Sequence, residues 1–160
     1  GSLSQQYLGG AVEVSVDMRS GMFTSINGCA ETPQDLFDQL HAEFGFTLDA
    51  AAEDATAKCP RYFTPENDAF KQPWTGRVWL NPPYGRTIGK WIKKAYDEVQ
   101  SGNSEIAVLL VPARTDTKWW HEYCMRGEIR FIQGRLRFKG YGPNGCAPFP
   151  SAIVIFRRNN

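Results

Sequence analysis

The sequence predicts an α/β fold with a reduced, mostly parallel sheet. Three observations predict it. Short apolar runs alternate with segments of helical period, in the order strand, helix, strand, helix, strand, which implies right-handed crossovers in one sheet. Ile106 to Val111 is a continuous apolar run, the pattern of a strand buried on both faces of a parallel sheet. The stretch between Asp49 and Val78 is too short for two full βαβ units, which need about 30 residues each. The sheet is therefore expected to lack strands there, its edge replaced by the loop 60–77.

Along the chain, residues 1–24 carry scattered Gly and Ser with little periodicity and read as a leader or loosely attached arm, leaving 25–160 as one domain. Gly1-Ser2 reads as the scar of a removed expression tag. Val12, Val14 and Val16 alternate with polar residues, which fits a short edge strand. Thr32-Pro33-Gln34-Asp35 is a helix start, with Thr32 as N-cap, Pro33 in first position and Asp35 in the first turn. Leu36, Phe37, Leu40 and Phe44 then share a face, and Gly45 ends the helix. Phe46 to Ala50 reads as a buried strand, followed by a short helix over Ala50–Ala57 that Pro60 breaks. Residues 60–77 form a structured loop, because Phe63, Phe70 and Trp74 require burial.

Val78-Trp79-Leu80 is the next strand. After it, Ile88, Trp91, Ile92, Ala95, Tyr96 and Val99 trace one helix face. Lys93/Asp97 and Lys94/Glu98 stand at i, i+4 off that face, and Gly102 closes the helix. Residues 116–125 read as helical. Ile129–Ile132, Leu136–Phe138 and Ala152–Phe156 read as strands, the last two as antiparallel neighbours.

The chain has 160 residues, suited to one domain with a real core. Its net charge of +1 gives no global attraction to nucleic acid or membrane, so an anionic partner must meet a local patch. No apolar run is long enough to span a bilayer. Cys29, Cys59, Cys124 and Cys146 form no Cys-x-x-Cys pair, and His121 with Cys124 is the sole close His/Cys spacing. The sequence therefore predicts four reduced thiols in a cytosolic protein, with no metal site.

The most specific segment is Asn81-Pro82-Pro83-Tyr84. By average residue usage it arises by chance in roughly one chain of this length in a couple of thousand. It lies between strand and helix, at the carboxyl end of a strand, where open α/β sheets bind ligands. It combines an amide, a rigid turn with a free backbone carbonyl, and an aromatic face. Those parts suit an exocyclic amino group and its ring.

This tetrapeptide is similar to the signature of amino-methyltransferases, which act on adenine N6 or protein glutamine. Around it stand Glu31-Thr32-Pro33-Gln34-Asp35-Leu36-Phe37, Phe46-Thr47-Leu48-Asp49-Ala50-Ala51-Ala52 and Tyr62-Phe63-Thr64-Pro65-Glu66-Asn67-Asp68. Trp74-Thr75-Gly76-Arg77-Val78-Trp79, Leu109-Leu110-Val111-Pro112-Ala113-Arg114-Thr115-Asp116-Thr117 and Gly134-Arg135-Leu136-Arg137-Phe138 complete the series. In this order, over roughly residues 30–156, the chain resembles the phage-type, Dam-like DNA N6-adenine methyltransferase family.

The resemblance implies a Rossmann-like, S-adenosylmethionine-dependent methyltransferase fold. It also implies a double-stranded DNA partner with the target adenine flipped out, and the cytoplasm, that of the host for a phage or prophage protein. Asn81, Pro82, Pro83 and Tyr84 would be catalytic. The Asn81 side-chain carbonyl and the Pro82 backbone carbonyl would accept hydrogen bonds from the amino group, and Tyr84 would stack on the base. S-adenosylmethionine would meet Thr32, Pro33, Asp49, Ala50, Ala51, Asp68 and Asn81. No Gly-x-Gly follows Asp49, which departs from the family pattern. Asp49 also reads as an N-cap for the Ala run, and Asp68 as a turn residue. Arg86, Lys90, Arg114, Arg135 and Arg137 are the expected DNA contacts. A non-catalytic nucleic-acid-binding module and a protein-glutamine methyltransferase stand as alternatives, and a monomer and a homodimer are both open.

Overall fold

Residues 29–52, 56–139, 141 and 145–158 are described by the computed structural model. The expected arm over residues 1–24 and the edge strand near Val12–Val16 lie outside them. Strand β1 (Cys29–Glu31) leads into α1 (Pro33–Phe44). Then come β2 (Leu48–Asp49), β3 (Arg61–Tyr62), β4 (Gly76–Leu80), α2 (Ile88–Gln100), β5 (Ser104–Pro112), α3 (Lys118–Glu122), β6 (Glu128–Phe131), β7 (Arg135–Leu136) and β8 (Ser151–Arg157).

The main sheet has six strands in the order β3-β2-β4-β5-β8-β6. β3, β2, β4 and β5 pair in parallel, while β8 runs antiparallel to both β5 and β6, so a single strand opposes the rest. This is a mixed α/β, mostly parallel sheet, and the segment expected only to replace an edge supplies the edge strand β3 itself. No described helix is long and apolar enough to cross a membrane.

Alternation explains the layers. Val78 and Leu80 of β4, with Ala107, Leu109 and Val111 of β5, pack against Ile88, Ile92, Ala95 and Val99 of α2. Trp79, Val108 and Leu110 point the other way, onto Leu36, Phe37, Leu40 and Phe44 of α1. Both faces of the central strands are buried, hence their unbroken apolar runs. Each large side chain buried in this way stabilises the fold by about 1.5–3 kcal/mol before entropy is counted.

Helix α1 begins as its sequence predicts. The Thr32 hydroxyl accepts from the Asp35 amide at 3.2 Å, and the Thr32 amide donates to the Asp35 carboxylate at 3.3 Å. Gly45, in the left-handed region at φ 68°, closes it.

Three expectations need correction. No helix forms among described residues 50–52 and 56–60; the chain turns there, for a reason found at Asp49 below. Leu136–Phe138 is not the neighbour of Ala152–Phe156. Gly134, at φ 83°, turns the chain away after β6, and β7 pairs in parallel with β1 in a separate two-stranded sheet. Arg137 adds an antiparallel bridge to Cys146. The thiols are not all reduced: Cys59 and Cys124 are free and buried, but Cys146 is disulfide-bonded.

The 60–77 segment is held by an anchor that composition conceals. Glu98, buried on α2, accepts hydrogen bonds from the Trp74 amide at 2.7 Å, Asn103 Nδ2 at 3.1 Å and Lys94 Nζ at 3.2 Å. Burial alone would raise its pKa; the donors outweigh burial and hold the carboxyl below its ordinary value. Its stabilising contribution is thus present above the ordinary value of 4.5 and is lost as pH falls through the folded value. Glu98→Ala is expected to cost about 2–3 kcal/mol at pH 7, since it strands the buried Trp74 N–H. Urea denaturation at pH 7 and in acid should show the deficit narrowing in acid; a deficit independent of pH would remove this role from Glu98.

Candidate active site

The chain leaves β2 toward β3 on one side, and β4 then pairs on the opposite side of β2. Successive connections depart in opposite directions here, so a crevice opens beyond the carboxyl ends of β2 and β4. A cleft of about 1250 Å³ lies at this point. Four stretches supply most of its lining: Thr32, Pro33 and Gln34 at the start of α1; Ala51, Ala52, Thr56 and Lys58 after β2; Phe63, Thr64 and Pro65 after β3; and Asn81 to Tyr84 after β4. Thr87 and Trp91 of the α2 region and Arg137, Phe138, Lys139, Tyr141 and Gly145 close it. Sites for a single drug-sized ligand run to about 300–1,000 Å³, so this cleft is larger than such a site usually is.

Asn81 follows the last residue of β4. Pro82 is buried and Pro83 exposed, and neither has an N–H, so the segment cannot extend the ladder onto β5. The Tyr84 hydroxyl reaches that strand instead, 3.3 Å from the Leu110 carbonyl, and lies 3.4 Å from Asn81 Oδ1. Its ring makes T-shaped contacts with Phe138 and Phe149, at centroid distances of 5.8 and 5.6 Å. Burial pushes its pKa well above the ordinary phenol value, so Tyr84 is neutral.

Asp49 is buried, yet its carboxylate does not line the cleft. It turns back onto the loop, accepting from the Ala51 amide at 3.3 Å and the Lys58 amide at 3.0 Å. The first of these is the Asx-turn contact, which competes with helix and explains why no helix forms among the described residues 50–52 and 56–60. Burial raises its pKa, against the pull of the Lys58 and Ala51 amides and the Lys58 charge. Asp49 therefore shapes the wall that presents Ala51, Ala52 and Lys58. Two further bonds bring Ala52 beside Phe63: Phe63 N donates to the Asp49 carbonyl at 3.0 Å, and Ala52 N to the Phe63 carbonyl at 2.9 Å.

Ala50 is fully buried behind the cleft. Asp68 also stands outside it. It is exposed, adopts the left-handed conformation at φ 51°, and joins two 3-10 turns, Pro65–Asn67 and Ala69–Lys71. That geometry is the turn reading of Asp68, a residue type that tolerates positive φ.

Glu31 flanks the α1 wall. One carboxylate oxygen accepts from Gln39 Nε2 at 2.9 Å; the other is buried with no partner among the described residues. Burial raises its pKa to about 7, with Gln39 opposing and Asp35 adding. The sign is unfavourable to folding: the penalty for ionising Glu31 is absent near pH 4.5, grows with pH, and is complete above about 7. Glu31→Gln is expected to raise Tm at pH 8 and to leave it almost unchanged at pH 4.5. Parallel Tm curves for the two proteins from pH 4.5 to 8 would contradict this.

Among the expected DNA contacts, Arg137 lines the cleft. Arg86 and Lys90 are exposed just after the tetrapeptide, with Lys90 Nζ 4.3 Å from the centre of the Phe70 ring. Arg114 is exposed and lies over Phe149, a ring that touches Tyr84. Arg135 is exposed on β7 outside the cleft. Lys58, Phe63 and Trp91 line the cleft without having been singled out for it. Phe63 reads from the sequence only as a loop aromatic that requires burial; it is half-buried on the cleft wall.

A family model described as DNA N-6-adenine-methyltransferase (Dam) matches residues 22–158. A relative from Escherichia phage T1, named DNA N-6-adenine-methyltransferase, is 35% identical over 110 residues, 66% of this chain and 44% of the relative. The matched segment is thus under half the length of that protein. The family match takes in every element from β1 to β8 and the whole cleft. On that evidence the chain belongs to the DNA N-6-adenine-methyltransferase (Dam) family, as its ordered motifs indicate.

Proposed function

We propose that this protein transfers a methyl group from S-adenosylmethionine to the N6 amino group of adenine in double-stranded DNA, with the target base turned out of the helix. The observation that carries the reading is the position of Asn81 to Tyr84 on the wall of a cleft at the switch point of the sheet. The strand order is compatible with a Rossmann-like methyltransferase fold.

The residues present fit the cofactor. Ala51 and Ala52 let a ligand approach the backbone after β2, Phe63 offers a ring face, and Thr32, Pro33 and Asn81 face the same space. Asp49 would support this wall from behind, through the Ala51 and Lys58 amides. The bound cofactor supplies an electrophilic methyl on sulfonium sulfur. The lining cations Lys58, Arg137 and Lys139 suit anionic groups of cofactor or DNA.

Adenine N6 is a weak nucleophile because its lone pair is delocalised into the ring. The Asn81 side-chain carbonyl and the Pro82 carbonyl would accept its two hydrogens and favour the pyramidal form. The N6–methyl bond would replace the methyl–sulfonium bond, with sulfur leaving as a neutral thioether and one proton, made acidic by the positive charge N6 gains, released to water. Fixed position and dipole orientation carry this step without a strong base. Arg86, Lys90 and Arg114, exposed beside the tetrapeptide segment, would hold backbone phosphates, and Arg135 would extend that contact.

The test is methyl transfer from labelled S-adenosylmethionine to duplex DNA, with the product nucleoside identified by digestion and mass spectrometry. N6-methyladenine is the expected product. Cofactor binding without any methylated nucleoside would overturn the reading, and label in protein glutamine would move the substrate to protein.

A further inference from the structure

The Tyr84 hydroxyl has one proton and two acceptors near it, the Leu110 carbonyl at 3.3 Å and Asn81 Oδ1 at 3.4 Å. It can serve one at a time. Pro82 and Pro83 offer β5 no N–H, so giving the proton to Leu110 supplies a donor that the backbone of this segment lacks. The phenol oxygen then turns its lone pairs toward Asn81. The structure turns Oδ1 to that oxygen; a half-turn of the near-symmetric amide would present Nδ2 there instead and free Oδ1 for the cleft. With the opposite end outward, an NH2 would meet the substrate's NH2, donor against donor.

We propose that Tyr84 is a positioning residue whose hydroxyl decides which end of the Asn81 amide faces the substrate. This rests on the reading that the Asn81 carbonyl accepts from the adenine amino group. It adds to the ring a role that stacking alone does not require, and it separates Tyr84 from Phe at this position.

Tyr84→Phe keeps the ring and removes the hydroxyl. The expected result is a loss in kcat of about tenfold, the scale of one hydrogen bond, with KM for DNA and Kd for the cofactor within about twofold. A purely structural hydroxyl would lower Tm without moving kcat at 25 °C, so both are measured. Wild-type kcat in Tyr84→Phe overturns the proposal.

Asn81→Asp supplies the second arm. A carboxylate has two equivalent oxygens and no wrong end, so Tyr84→Phe should cost less than about twofold in that background. An equal loss in both backgrounds overturns positioning in favour of direct contact. The side-chain amide resonances of Asn81 give a readout free of turnover: they should shift in Tyr84→Phe, and unmoved resonances overturn the proposal. If wild-type protein methylates no DNA, the functional reading has failed, while those resonances still judge the hydroxyl's hold on the amide.

Discussion

Asn81→Ala is expected to slow methyl transfer to adenine by roughly two to three orders of magnitude, the scale on which losing one preorganised hydrogen-bonding group is felt at a reacting centre. Cofactor affinity should stay within about threefold, because the proposed cofactor wall draws mainly on residues after β2, after β3 and at the start of α1. The variant should fold. Asn81 is half-buried, and its one described side-chain contact is the Tyr84 hydroxyl, which has the Leu110 carbonyl as a second acceptor. Single-turnover kinetics with labelled cofactor checks the rate, and calorimetric titration checks the affinity. A variant that turns over at the wild-type rate would remove Asn81 from the chemistry. A variant that loses cofactor affinity and rate equally would make it a binding residue.

Trp74→Ala is expected to have the largest effect on stability. Trp74 is fully buried, its Nε1–H donates to the Ala69 carbonyl at 2.9 Å, and its amide is the Glu98 anchor at 2.7 Å. Truncating a buried tryptophan costs about 3–5 kcal/mol. At about 2–4 °C per kcal/mol for a domain near this size, Tm should fall by roughly 10 °C. The effect should spread to the cleft. Trp74 packs near Trp91, at 6.2 Å between ring centres, and anchors the segment that carries Phe63, Thr64 and Pro65. Cofactor affinity should therefore drop in this variant, unlike in Asn81→Ala. Calorimetry with and without cofactor separates the outcomes, and an unchanged Kd would show that the segment holds its shape without Trp74.

Features written in neighbouring residues were legible before any coordinates. Thr32, Pro33, Asp35 and Gly45 act within a turn of themselves, so α1 could be placed from its start to its end. The apolar face of α2 and the unbroken run of β5 follow from period alone. The tetrapeptide could be set at a strand end because a strand and a helix bracket it. Properties that depend on distant partners were not legible. Arg61–Tyr62 is too short to show alternation, so β3 is visible only through its pairing with β2. Glu98 looked like half of a surface ion pair, because Lys94 stands one turn before it; the Trp74 amide that buries its purpose lies 24 positions away. Asp49 was sought in the cleft on the strength of a motif, but its two hydrogen bonds turn it to the loop behind. The disulfide at Cys146 was hidden for the same reason: spacing along the chain says little about which strands meet.

A growing chain on the ribosome meets β8 after every other described strand, yet β8 belongs between β5 and β6. β4, α2 and β5 are contiguous over residues 76–112 and can associate early at small loop-closure cost. Until residues 151–157 arrive, β5 and β6 each keep a bare edge, and β5 is apolar along almost its whole length. Such edges are templates for pairing with other chains. The interval between synthesis of β5 and insertion of β8 is therefore when a nascent chain is most prone to aggregate, and a holdase that shields strand edges would act there.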